Sequence, residues 1–262
     1  MRDSLANLLS IESITQEPHD FSRVECQEKQ EKQFLKERIR DISHQLKTPL
    51  TTLSIHHELI EMNTSDPSIR QLAAVCEQET DRMSELIKKL LILTRLETNS
   101  MTFRMQSESL HSVLLETIER FESRANLELK SLTIQSEETN KMIVCDRFWL
   151  IEALSNLVKN ALDHTQANDT IRLEVTSSYQ SVQIRILDTG EGIDPADFPH
   201  IFKRFYRSSH ANDQHGIGLG LPLAKAIIEA HHGTIRVQSE KNIGTCFTVN
   251  LLLSDKIVNK PS

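Results

Sequence analysis

The segment DISHQLKTPL, residues 41–50, sets His44 beside Gln45 in a stretch of helical character and places Pro49 five residues later. Neutral imidazole is a good nucleophile near pH 7. A proline inside a helix removes a backbone donor and clashes one turn back, at a cost of about 3 kcal/mol. An imidazole one turn before such a distortion has the form of a reactive site, although a solvated histidine beside a tolerated kink has the same form. Further along, Asn156 and Asn160 in NLVKNALDHT stand four residues apart, so both amides share one helix face. An amide oxygen is a hard neutral ligand suited to Mg²⁺ in the company of phosphate oxygens and water. In DTGEGI, Asp188 ends the alternating run SVQIRIL, and Gly190 and Gly192 open the turn. Those glycines let a flat ligand approach the backbone while the carboxylate accepts a hydrogen bond. HGIGLGLPLAKAIIEA brings Gly216, Gly218 and Gly220 directly before an amphipathic helix. Free N–H groups and the helix dipole favour phosphate there. The βαβ context of a dinucleotide fingerprint is missing.

The elements that must hold these residues follow from periodicity. Leu35, Ile39, Ile42, Leu46, Pro49, Leu53, His56 and Ile60 alternate spacings of four and three, a heptad seam along one helix face. With Ile42 and Leu46 on the seam, His44 falls on the outer face. A second seam runs through Leu72, Cys76, Glu79, Met83, Leu86, Leu90 and Leu93. Between them lies NTSDP, where Ser65 or Asp66 can cap and Pro67 can occupy the first turn of the second helix. Two antiparallel helices are expected. Their seams are too wide to leave wet, and pairing two copies into a four-helix bundle is the economical solution, so a homodimer is predicted.

All seven glycines lie between Gly190 and Gly244, so the first 189 residues are expected to form long regular elements. After about Thr98 the pattern changes. SLTIQSEE, NKMIVCDR, TIRLEVTSS and SVQIRILDTG read as strands, and GTIRVQSE with GTCFTVNLLL as a final hairpin. Helical periodicity marks SLHSVLLETIERFESRANL, DRFWLIEALSNLVKNALDHT and GLPLAKAIIEAHH. The result is an α+β domain with one sheet covered on one face by helices. The expected division is a lead-in over 1–33, a helical hairpin over 34–98, the α+β domain over 99–255 and a tail over 256–262. His231 and His232 are expected to meet a helix dipole, with Gly233 as C-cap, and Trp149 is expected in the core.

A net charge of −7 is too acidic for a general nucleic-acid binder. Four scattered cysteines, Cys26, Cys76, Cys145 and Cys246, form no CxxC pair and read as reduced thiols. No apolar run reaches the length of a membrane span and the N-terminus lacks a signal pattern, so a cytoplasmic chain is expected, membrane-attached only if a sensor region precedes it.

In order along the chain, SHQLKTPL, NLVKNALDHT, DTGEGI, IFKRFYR, GIGLGL and GTCFTV resemble the phosphoacceptor, N, first glycine, phenylalanine, second glycine and last boxes of sensor histidine kinase cores. The resemblance implies a dimeric four-helix bundle followed by an α/β sandwich of Bergerat (GHKL) type. It implies that His44 accepts the γ-phosphoryl group of ATP and passes it to an aspartate of a response-regulator receiver domain. It implies Asn160 as the Mg²⁺ ligand with Asn156 near the phosphates, Asp188 reading the adenine amino group, and Gly190 and Gly192 lining the adenine pocket. Gly216, Gly218 and Gly220 would flank the phosphates after a mobile lid at about Ser208 to His215. Tyr206 and Arg207 match positions near ribose and phosphates, Thr245 supports the adenine pocket, and Lys47 and Arg207 offset charge on the transferred group. Thr48 matches the position that aligns water for dephosphorylating the regulator.

The sequence departs from that pattern twice. The residue after the phosphoacceptor is usually an acid; Gln45 can accept a hydrogen bond from the imidazole but no proton. Asp163 stands where many relatives carry a phosphate-contacting lysine, for which Lys159 is the available substitute. These departures keep open a nucleotide-binding scaffold without kinase activity. A Bergerat ATPase is less favoured, because Asn156 occupies the position where such enzymes carry a general-base glutamate.

Overall fold

The computed structural model describes residues 45–46, 48–136, 141–208 and 218–253. His44, Lys47 and Gly216 lie outside the described residues, as do the lead-in and nearly all of the expected lid. The first helix, α1, is helical at every described residue from 45 to 63. Asp66 caps the second, α2 (Pro67–Glu97), by accepting from the Ser68 N–H at 2.8 Å, with Pro67 in its first turn. Proline fits there because its missing N–H would have had no helical partner.

The single chain buries little of the hairpin's apolar surface. His57, Ala73 and Thr80 are buried, whereas Leu53, Ile60, Leu72, Met83 and Leu90 of the expected seams remain exposed, Leu72 to 65%. His56, placed on the seam by sequence, is also exposed, and its Nδ1 bonds the Thr52 carbonyl at 2.7 Å. The inward position is its neighbour His57, because the contact between α1 and α2 lies beside the heptad seam.

The end of α2 leaves the hairpin and joins the second core. Leu93 and Leu96 are buried together with residues of α4 (Arg147–Asp163) and α5 (Gly220–Ala230), and Met101 and Phe103 pack against the same cluster. Five strands form the main sheet in the order β2-β4-β5-β7-β6. These are β2 (Ser131–Ser136), β4 (Thr170–Ser177), β5 (Ser181–Asp188), β6 (Thr234–Glu240) and β7 (Gly244–Leu252). β2 runs parallel to β4, and the other pairs are antiparallel. Alternate residues such as Ile171, Leu173, Ile184, Ile186, Phe247 and Val249 are fully buried beneath α3 (Leu110–Leu127), α4 and α5. One covered face follows from that period of two.

Two expectations need correction. MIVC does not join the main sheet: β3 (Met142–Cys145) pairs with an unforeseen strand, β1 (Gln106–Ser109), in a separate two-stranded ribbon. QSES has no apolar alternation by which sequence could reveal it. The glycine-free region also turns tightly without glycine, since Asn99, Leu129 and Asn168 adopt positive φ. His232 likewise takes the left-handed position at the end of α5, so Gly233 is not the residue that turns the chain. A Cβ at Gly233 would instead lie 2.7 Å from the Asn250 carbonyl, and close approach to β7 is what requires glycine there. Trp149 packs against the core, edge-on to Phe148 at 5.0 Å. Cys76, Cys145 and Cys246 are free thiols, and burial pushes that of Cys145 up to about 12. Among the described residues no helix is long and apolar enough to cross a membrane.

Candidate functional site

Helix α4 carries the first part of the site. Asp146 caps it through the Trp149 N–H, and Arg147 ties it to the neighbouring elements, with Nη2 2.7 Å from Glu116 on α3 and Nη1 3.3 Å from Glu108 on β1. The α4 face bearing Asn156 and Asn160 looks into a cavity of about 940 Å³. Asn156 is buried, and its Nδ2 donates to the Glu152 carbonyl at 2.8 Å. That bond commits the nitrogen to the helix and turns Oδ1 toward Gly220, where a Cβ would stand 3.2 Å from the oxygen. Glycine at the start of α5 thus keeps the approach to Asn156 open. Leu219 offers α5 no side-chain cap, so among the described residues no capping side chain occupies its first-turn N–H groups. Gly218 holds φ of +71° against the backbone of Phe205 and Tyr206, a conformation that favours glycine.

Lys159, Gly192, Tyr206, Arg207 and Thr245 line the same cavity, together with Asn156, Asn160, Gly218 and Gly220. Asp188 sits directly behind the lining residue Thr245, from whose backbone N–H it accepts, and Gly190 is bonded to the same carboxylate. Oδ1 of Asp188 accepts from the backbone N–H groups of Gly190 at 3.0 Å and Thr245 at 3.1 Å. Burial raises the Asp188 carboxyl above its usual range, and those two donors oppose the rise. Oδ2 makes no hydrogen bond among the described residues. Thr245 Oγ1 lies 3.0 Å from Ser239 Oγ, which accepts from the Ile193 N–H at 2.8 Å, so β6, β7 and the glycine turn brace one another. Tyr206 donates its hydroxyl to Asp197 at 2.6 Å, and that carboxylate raises the phenol above its usual range.

Several lining residues were not anticipated from sequence. His164 stands at the cavity edge with Nδ1 2.7 Å from Glu191; it lies inside NLVKNALDHT, so its place in that motif was the available signal. Residues Gln78 to Lys89 of α2 close another side of the cavity, including Arg82, Lys88 and Lys89. Nothing in a heptad announces that its outer face will meet another domain. Arg204 of IFKRFYR is ion-paired with Glu97 at the end of α2. Gln45 and Thr48 are exposed positions of α1.

The donor set suits a metal-bound nucleotide: amide oxygens on α4, uncapped N–H groups at α5, and cations at Lys159 and Arg207. Oxygen ligands and helix N-termini are the usual partners of Mg²⁺ and phosphate respectively.

Known proteins match this arrangement. Residues 34–99 match the family model of the His Kinase A (phospho-acceptor) domain, and residues 145–255 that of the histidine kinase-, DNA gyrase B-, and HSP90-like ATPase. The heme sensor protein HssS of Staphylococcus saprophyticus is 34% identical over 224 residues, which cover 84% of this chain and 47% of that protein. The sensor histidine kinase YclK of Bacillus subtilis is 33% identical over 237 residues, covering 89% of this chain and 49% of that protein. The chain spans less than half the length of these relatives. Among solved structures, full-length ShkA in complex with AMPPNP superposes with a TM-score of 0.75 at 22% identity, covering 83% of this chain and 46% of that one. The Acinetobacter baumannii histidine kinase AdeS gives 0.59 at 22% identity, covering 81% and 98%. At such identities these likenesses speak for the fold.

Proposed function

Because the chain belongs to the sensor histidine kinases, we propose that it autophosphorylates His44 from ATP and transfers the phosphoryl group to an aspartate of a response-regulator receiver domain. The observation that carries this reading is the single cavity shared by Asn156, Asn160, Gly218, Gly220 and Thr245 and walled by α2, the partner helix of the one that bears the His44 motif. We assign phosphotransfer and dimerisation to residues 34–98 and nucleotide binding to 99–255, flanked by a lead-in over 1–33 and a tail over 256–262.

In this reading Asp188 receives the adenine amino group on Oδ2, while Gly190, Gly192 and Thr245 shape the base pocket. Gly218 and Gly220 leave room for the phosphates at the N-terminus of α5, and Gly216 of the same motif is assigned to phosphate binding with them. Asn160 holds Mg²⁺, with Asn156 beside it; the ion, when bound, neutralises part of the triphosphate charge. Lys159, Tyr206 and Arg207 complete the ribose and phosphate contacts. Nε2 of His44 attacks the γ-phosphorus, an N–P bond forms, the bond to the β-phosphate oxygen breaks and ADP leaves. Gln45 accepts a hydrogen bond from Nδ1–H and fixes the tautomer, while Lys47 and Arg207 offset the charge on the transferred group. Transfer to the regulator then breaks the N–P bond and makes an acyl phosphate. Thr48 aligns water that hydrolyses this acyl phosphate, releasing inorganic phosphate from the regulator.

The exposed Leu53, Ile60, Leu72, Met83 and Leu90 support a homodimer built on the hairpin. A cytoplasmic location, with a sensor region joined to this core in the whole protein, fits the same family. Incubation with γ-labelled ATP and Mg²⁺ tests the proposal: acid-labile, base-stable label on the protein, absent in His44→Gln, is expected. Nucleotide binding without label would leave a scaffold, and free phosphate without labelled protein would leave an ATPase.

A further inference from the structure

The least expected residue on the cavity wall is an acid. Asp163, the last residue of α4, lines the cavity with Asn156 and Asn160, and its side chain is only 18% exposed. The three residues are spaced four and three apart, so they form one row on one face of α4. A carboxylate there is unfavourable on three counts: it is substantially desolvated, it sits at the negative end of a helix dipole, and it faces a site for triphosphate.

Its surroundings hold it in place. Oδ1 accepts from Arg124 Nη2 at 2.8 Å, and Arg124 Nε is itself fixed by Glu128 at 2.6 Å. Lys130, whose side chain is 8% exposed, bonds Glu128 at 2.5 Å and the carbonyl of Leu162, the residue before Asp163, at 2.7 Å. The end of α3, the turn after it and the end of α4 are thereby locked around one carboxylate. Oδ2 of Asp163 makes no hydrogen bond among the described residues.

A carboxylate with one oxygen anchored to a guanidinium and the other unbonded, beside an amide-oxygen ligand, has the form of a metal ligand oriented by an outer partner. We infer that Asp163 is a second, anionic ligand of the divalent cation that accompanies the nucleotide, bound through Oδ2 directly or by one water, with Arg124 as its positioning residue. The inference rests on the nucleotide site assigned above. It converts a position that would otherwise repel phosphate into one whose charge is useful only when metal is present.

That conditional role predicts opposite signs for one substitution. In Asp163→Asn, AMPPNP binding in EDTA is expected to tighten several-fold, because a carboxylate no longer faces the phosphates. Mn²⁺ affinity in the presence of saturating AMPPNP, read from the electron paramagnetic resonance of free Mn²⁺, is expected to weaken about tenfold or more. Arg124→Gln is expected to weaken AMPPNP binding in EDTA and to reduce Mn²⁺ affinity by less than Asp163→Asn does. Unchanged Mn²⁺ affinity in Asp163→Asn, with its thermal transition kept, would overturn the inference and leave the nucleotide site standing. If Asp163→Asn does not fold, Asp163→Glu, which keeps the charge, must retain Mn²⁺ affinity within a few-fold, and a loss of about tenfold or more would sink the idea. Failure of the wild-type chain to bind AMPPNP with or without metal would instead overturn the nucleotide site itself.

Discussion

The backbone N–H of Asp146 donates to Nε2 of His231 at 3.1 Å, while Nδ1–H of the same ring donates to the Ile227 carbonyl at 2.8 Å. Both nitrogens are thus used by a neutral imidazole, joining the cap of α4 to the end of α5 beside Phe103, whose ring lies 5.0 Å away. Burial lowers the pKa of His231 below its ordinary value of 6.5, against the bond to the Ile227 carbonyl, which a charged ring would strengthen. As pH falls below 6.5 the unfolded chain takes up a proton that the folded chain refuses, so stability falls until the folded-state pKa is reached and then levels. Urea unfolding midpoints should therefore drop between pH 7.5 and 5.5. His231→Phe should lose that part of the pH dependence, at a cost of about 1–3 kcal/mol for the orphaned Asp146 N–H. An equal pH dependence in both proteins would contradict this account.

In the proposed mechanism Gln45 would orient the imidazole of His44 without being able to take its proton. Gln45→Glu should raise the initial rate of autophosphorylation, by up to about 10²-fold if base assistance is fully restored. An unchanged rate would show that proton removal does not limit transfer.

Asp188 holds its turn through Oδ1, and in the proposed function its Oδ2 receives adenine. Asp188→Asn retains an oxygen for the Gly190 and Thr245 donors but removes the charge. ATP affinity should fall about tenfold to a hundredfold, the worth of a charge-assisted hydrogen bond, with little change in thermal stability. Preserved affinity, measured by calorimetry, would remove Asp188 from base recognition.

Leu72 is 65% exposed in the single chain, and Leu53 44%. Introducing a charge on this face, as in Leu72→Glu or Leu53→Glu, should shift the protein from dimer to monomer in sedimentation equilibrium. Nucleotide affinity should remain, because neither residue lines the cavity. A dimer that survives both substitutions would place the interface elsewhere.

The hairpin, the covered sheet and the boxes that meet at the cavity were legible because each is a local pattern: a heptad, an alternation of two, or glycines before an amphipathic run. Asp66 and Pro67 announced the start of α2 in the same way. The separate ribbon was not legible, since the polar run QSES becomes a strand only by pairing with Met142–Cys145. His57 rather than His56 faces inward for a related reason. Periodicity finds an apolar stripe, but which edge of it meets the neighbouring helix depends on how two helices cross.

Sequence alone determined the order of the motifs and hence the chemistry that Asn156, Asn160, Asp188 and the glycines can perform, because those properties reside in side-chain type and short spacing. Tertiary structure decided what surrounds them: α2 along the cavity, Asp188 behind Thr245, and Arg124 anchoring Asp163 from 39 residues away. A carboxylate that reads from sequence as a missing lysine has become a neutralised, oriented oxygen donor. The physical reason is that an ionised group's role is set by the charges and solvent around it, which only the packed chain brings together.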